Sequence, residues 1–384
     1  MNESALRKLR KQELLAMAET AGLRGRSRMT KEELVQALAA PAPPPVPEAS
    51  GEPKPGERRA ALAARLAEFV DWTQHCPWTS IEGYPCGLPV VRGARSCALH
   101  GGADVADLGI PITGKLGFDA WPVALRHLWL ASYDVDPIGL DPVIAEMVWH
   151  IANMLYFDYF RVEVEGIEHV PMDGPGVLVA NHGGAALPYD SAMLMLAVLN
   201  EAPRPRRVRV TATEIFNILP WVSHLFRKVG AAYASREDAA HILEAGHLLG
   251  VFPEGEKGFM KPVWQSYRVQ RFGRGGFVDV AEHVGAPIVP VAILGAEEVH
   301  PAVVVSKTLA RLARLVWPQQ RVDGIAVFLN LIPLPVRWRI RFLPPVYPEG
   351  GDPDPLRMLE RTEAIRGTIQ DNLDEMLASR GRVF

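Results

Sequence analysis

From Arg161 onward the chain alternates short apolar runs with helical patterns, and that rhythm most narrows what it can fold into. Runs rich in Val, Ile and Leu at Gly176–Ala180, Val208–Ala212, Leu248–Phe252, Ile288–Ile293 and Val336–Phe342 read as strands. Segments of helical spacing lie at Ser191–Leu199, Glu237–Ala245 and Gly276–Val284, and a last helix opens at Asp354-Pro355 with Leu359, Ile365, Ile369, Leu373, Met376 and Leu377 on one side. Such alternation predicts an α/β fold, a mixed sheet flanked by helices, with sites gathered at strand ends.

One of those ends carries a distinctive constellation. The strand before Asn181-His182-Gly183-Gly184 must turn at the glycines, and Pro188 opens a helix whose first turn holds Asp190. A histidine on a glycine turn with a carboxylate nearby suits a general base and its orienting partner. The plainer reading is a turn histidine and an acidic residue favoured by the helix dipole. Three further stretches fall at strand ends: Gly230 to Arg236, Phe252-Pro253-Glu254-Gly255-Glu256-Lys257, and Pro287-Ile288-Val289-Pro290.

These four blocks, in this order, resemble the glycerolipid acyltransferase superfamily that includes 1-acylglycerol-3-phosphate acyltransferases. The resemblance covers residues 161 to 342 and implies transfer of a fatty acyl group from acyl-CoA or acyl carrier protein to a hydroxyl of a lysophospholipid, with a neutral acylglycerol or other lipid alcohol as the alternative acceptor. It implies His182 as base, Asp190 as its partner, and Asn181, Gly183, Arg236, Glu254 and Gly255 as substrate contacts. No catalytic cofactor is expected; acyl-CoA is a co-substrate. Two departures stand out. Seven residues separate His182 from Asp190 where the family has four, and Glu-Gly-Glu-Lys replaces Glu-Gly-Thr-Arg. Lys257, Lys261, Arg268, Arg271 and Arg274 cluster after the third block, and Lys257, Arg271 and Arg274 are read as contacts for acyl-CoA phosphates or anionic headgroups. Trp264 and Tyr267 among them suit an interfacial rim. A non-catalytic lipid-binding or nucleic-acid-associated protein is the reading from another class, and a thioester hydrolase a third.

The amino-terminal part divides further. Residues 1–40 resemble the SAP motif and the N-terminal helical domain of the terminator Rho over Arg24-Gly25-Arg26-Ser27-Arg28-Met29-Thr30-Lys31-Glu32-Glu33-Leu34; eight Lys and Arg against five Glu make nucleic acid or a protein the partner to consider. Residues 41–57 are a proline-rich linker. Residues 58–103 begin with a helix from Arg58 to Val70 and hold all three cysteines, Cys76, Cys86 and Cys97, with His100 three residues beyond the last. Three thiols and an imidazole are a closed tetrahedral set for a structural zinc, the alternative being three reduced, buried cysteines. Residues 104–160 connect to the acyltransferase domain at 161–384, and the aromatic run within Asp141–Tyr159 packs on the core or lies at a bilayer interface. With 48% hydrophobic and 22% charged residues and a formal charge of -3, the composition is that of a soluble protein with a large core. No apolar run reaches the roughly 18 residues of a membrane span and no secretory leader is visible. The expected location is cytoplasmic, peripheral on the inner face of the membrane.

Overall fold

In the computed structural model the chain forms two compact units, Met1–Lys54 and Pro55–Phe384. The described residues are 152–384, except 185–186, 204–205, 213–219, 274, 317–323 and 351–353, together with 70–77, 89–92, 139–141 and a few single positions before 152. Most of the SAP-like module, the linker, Cys86, Cys97, His100 and Arg274 therefore lie outside the described residues. Within the first unit Met17, Lys31, Glu32 and Val35 are helical. Val70 already belongs to strand β1 (Val70–His75), which pairs antiparallel with β2 (Pro89–Val91) and leads into the buried Cys76.

The second unit is built on a seven-stranded sheet. Its strands are β3 (Glu163–Glu165), β4 (Gly176–Ala180), β5 (Val208–Ala212), β6 (Ala232–Tyr233), β7 (Leu248–Val251), β8 (Ile288–Leu294) and, last in the chain, Arg339–Phe342. From one edge the order is β3, Arg339–Phe342, β8, β4, β7, β5, β6. The run from β8 to β6 is parallel; the last strand lies antiparallel to β8 and parallel to β3. Between β8 and that last strand come β9 (Ala302–Ser306) and β10 (Ile325–Phe328), a separate antiparallel pair; the last strand is accordingly β11.

The helices are α1 (Tyr189–Glu201), α2 (Pro220–Lys228), α3 (Arg236–Glu244), α4 (Gly255–Phe259), α5 (Gly276–Val284), α6 (Ala296–Val299), α7 (Lys307–Val316) and α8 (Pro355–Ala378). Alternation along the central strands assigns them to two faces, because successive side chains point to opposite sides. Leu178 and Ala180 of β4, with Val289, Val291 and Ile293 of β8, pack with α1. Val177 and Val179, with Ile288, Ala292 and Leu294, pack with α3, α5 and α8. Both faces are covered, which is why these strands read as unbroken apolar runs.

The aromatic run before β3 goes to the core. Tyr156, Phe157 and Phe160 are buried against α1 and Trp338, so in its described part the run takes the packing role and not the interfacial one. The expected strand from Val336 starts only at Arg339, since the N–H groups of Arg337 and Trp338 donate to Val383 and Phe160 instead of a ladder. The edge strand β3 was not legible as Glu-Val-Glu; it is held by Arg339 and Arg341, which ion-pair with Glu165 across the register. Among the described residues no helix is long and apolar enough to cross a membrane.

Candidate active site

Three parallel strands end together, and the residues that follow them meet. His182 lies two positions beyond β4, Glu254 three beyond β7 and Glu297 three beyond β8. The turn after His182 needs glycine twice. A Cβ at Gly183 would stand 2.5 Å from Cγ of Glu297, and Gly184 has φ of 129°.

The chain then returns to His182 through the first turn of α1. Asp190, fully buried, brings Oδ2 to 2.5 Å from His182 Nδ1 and accepts the Gly183 N–H on the same oxygen at 2.9 Å. Its Oδ1 accepts the Ser191 N–H at 2.7 Å. An ionised carboxylate only accepts, so it fixes the proton on Nδ1 and leaves the Nε2 lone pair as the basic one. The imidazole lies between Phe252 and Phe259, with ring centroids 4.7 and 4.9 Å away. Seven intervening residues thus close the contact as a loop pinned at both ends by one carboxylate.

Glu254 does not line the cavity that His182 faces, only the one adjoining it. It is buried, and its Oε1 accepts the backbone N–H of His182 at 2.7 Å while Oε2 accepts the Gln270 N–H at 2.6 Å and faces Lys261 Nζ at 3.3 Å. Where a substrate contact was expected, the geometry is that of a carboxylate fixing a basic residue and the backbone around it. Lys261 in turn donates to Glu297 Oε1 at 2.6 Å, and Glu297 Oε2 accepts the Tyr267 N–H at 2.7 Å. Burial pushes the Glu297 carboxyl up to about 7, and the nearby Glu254 adds to this, although Lys261 and the Tyr267 N–H pull the other way. Burial would lower Lys261, but Glu297 and Glu254 outweigh it and hold the ammonium above its usual range. Sequence reading took Lys261 for one of a surface run and passed over Glu297. The available signal was a carboxylate just past the end of the most apolar strand.

The other expected contacts fall as follows. Asn181 is buried and its amide pairs with Ile293, donating to its carbonyl at 3.0 Å and accepting its N–H at 2.7 Å, so that it extends the β4–β8 ladder. The Gly183 N–H is taken by Asp190. Arg236 is turned onto Asp279 of α5 at the surface. Tyr267 is buried, its hydroxyl accepting the Gly295 N–H at 3.0 Å, so of the expected interfacial pair only Trp264 is exposed. Among the described residues no group of three or more His, Cys, Asp or Glu is arranged to hold a metal ion.

His182 opens onto a cavity of about 330 Å³ lined by Met195 of α1, the end of β5, Phe226 and Val229, and Phe252-Pro253. Gly255, with φ of 55°, and Glu256 complete the rim. Among the described residues no Lys or Arg reaches this wall. A second, more open cavity of about 690 Å³ shares Pro253 and Glu256 with the first and is lined by Lys257, Arg271 and Lys307.

Comparison with known proteins locates this arrangement. A family model described as Acyltransferase matches residues 161–294, the span from β3 through β8 that contains both ends of the His182–Asp190 contact and the Glu254 turn. An uncharacterized protein of Mycobacterium tuberculosis is 41% identical over 266 residues, which is 68% of this chain and 74% of that protein. The human DGAT1/2-independent enzyme synthesizing storage lipids is 32% identical over 129 residues, 34% of this chain and 38% of that enzyme. The crystal structure of the 1-acyl-sn-glycerophosphate (LPA) acyltransferase PlsC from Thermotoga maritima covers 73% of this chain and 100% of its own, at a TM-score of 0.42 and 17% identity. With the matched span enclosing the histidine, its carboxylate and the turn that holds both in place, residues 161–294 form an acyltransferase domain and the protein is an O-acyltransferase.

Proposed function

We propose that the enzyme transfers a fatty acyl group from an acyl thioester to the hydroxyl of a neutral glycerolipid at the cytoplasmic face of a membrane, with His182 as general base. The observation that carries this is a lone imidazole on an apolar wall, its Nδ1 committed to a buried carboxylate. In the step envisaged, the acceptor hydroxyl gives its proton to Nε2 as its oxygen attacks the thioester carbonyl. The tetrahedral intermediate then expels the thiolate, which takes the proton back from the imidazolium. Asp190 supports the transient positive charge, and base catalysis of this kind supplies about a hundred- to ten-thousandfold, with approximation of the two substrates adding more.

The acceptor follows from charge. A phosphate on the acceptor would need a cation at the wall, yet among the described residues the ionisable groups there are His182 and Glu256, and Arg236 is engaged by Asp279. This favours a mono- or diacylglycerol or another lipid alcohol over a lysophospholipid. Lys257, Arg271 and Lys307 in the adjoining cavity suit the phosphates of acyl-CoA. The same three cations support the second reading, in which they hold a lysophospholipid headgroup.

Purified protein offered long-chain acyl-CoA or acyl carrier protein, with acylglycerols and lysophospholipids in turn, separates these. Thiol release that depends on a neutral acceptor is expected. Release only with lysophospholipids would replace the acceptor, and release without any acceptor would make the enzyme a hydrolase. For the amino-terminal segments, residues 1–40 are proposed to bind nucleic acid or a protein, and Cys76, Cys86, Cys97 and His100 to hold a structural zinc. Metal analysis of the full chain, and of Cys97→Ser, tests the latter.

A further inference from the structure

Helices packed on a sheet turn their apolar stripe inward; α7 does the reverse. It is carried between β9 and β10, a pair outside the main sheet. Leu309, Leu312 and Leu315 recur every third residue, sweep an arc of about 120°, and are exposed, Leu315 to 80%. Just past β10, Leu329, Leu331 and Ile332 are exposed as well, Leu331 to 91%. Arg311, one turn before Leu315, borders the leucine arc, Lys307 lies on the far side of the helix, and both are exposed. Residues 302–332 contain Lys307, Arg311, Arg314 and Arg321 against the single acid Asp323, within a chain whose net charge is -3.

We propose that this arm, β9–α7–β10 with the loop after it, docks the enzyme on an anionic bilayer surface, which gives a location on the molecule to the expected membrane contact. Leucines along one face with Arg311 at its edge and Lys307 behind, and no acid in the helix, match an interface with acyl chains below and phosphates around. A second copy pairing through the same face would bring two sets of cations together, so charge argues for lipid over self-association.

The root of the arm is fastened to the active site. Asn330 Nδ2 donates to the Val299 carbonyl at 2.8 Å, and the His300 ring lies against Phe328 at 5.3 Å and stacks on Tyr189, the neighbour of Asp190, at 5.7 Å. Pro262, next to Lys261, bridges to Ala302 at the other root. Val305 and Lys307 of the arm also line the second cavity. A bilayer held by α7 therefore abuts the cavities where a lipid would enter.

Co-sedimentation of the full chain with phosphatidylcholine vesicles, with and without phosphatidylglycerol, tests the docking without turnover. The wild type is expected to bind the anionic vesicles; Leu312→Glu/Leu315→Glu and, separately, Arg311→Glu should each weaken that binding about tenfold or more. Melting of both variants should match the wild type, and the leucine variant should keep wild-type turnover of a water-soluble short-chain thioester. A wild type that ignores anionic vesicles, or variants that bind as it does, overturns the proposal. So does a leucine variant that melts early, since the face would then be covered by the chain itself, or one that only dissociates a dimer. Loss of turnover in all proteins with vesicle binding intact would instead strike the catalytic reading.

Discussion

At the residue scale the proposed chemistry rests on one short contact, His182 Nδ1 to Asp190 Oδ2 at 2.5 Å. His182→Ala should lower kcat by about a hundred- to ten-thousandfold with KM little changed, and Asp190→Asn by about a hundredfold or more through the wrong tautomer, both measured by acceptor-dependent thiol release. A second prediction concerns stability. The Glu297 carboxyl is raised from 4.5 to about 7. A raised group contributes stability that is full below the unfolded value and is lost as pH rises through the folded one, so the loss falls between pH 4.5 and 7. Glu297→Gln should flatten that slope, on the order of 3 kcal/mol, in urea titrations across the window. The His182–Asp190 contact was legible because a histidine on a glycine turn and a carboxylate in the next helix's first turn are residue types that pair. The Lys261–Glu297 contact was not, since a lysine in a basic run and a glutamate beside another glutamate both read as solvated.

At the scale of elements, strands buried on both faces declare themselves, and β4, β5, β7 and β8 were readable for that reason. Short or polar strands such as β3 and β6 depend on partners elsewhere in the chain, which no local pattern reveals. The family's spacing between His and Asp proved a poor guide because a loop pinned by one carboxylate tolerates extra length. The glycine turn, by contrast, has no slack. Gly183→Ala would push a methyl against Glu297, itself held by Lys261 and the Tyr267 N–H, and should cost about 1–3 kcal/mol in thermal or chemical unfolding. In α1, Met195→Trp should crowd the cavity and shift turnover toward shorter acyl thioesters, with the longest falling about tenfold.

At the scale of the whole molecule, the sheet brings together residues from blocks scattered over more than a hundred positions, and its carboxyl edge is where they converge. The alternating rhythm foretold that convergence; the outward-turned leucines of α7 were not foreseen, because amphipathic spacing does not say which way a helix faces. Glu254 shows what the convergence means for altering the enzyme. Its carboxylate props up the backbone of the base, and Gly258 is kept bare by it, a Cβ there coming within 2.3 Å of the Glu254 Cβ. Redesign of specificity should therefore leave the Phe-Pro-Glu-Gly turn untouched, although it forms part of the wall, and rewrite Met195, Phe226, Ala231 and Ala234, tiles of the same cavity that do not hold the backbone of the base.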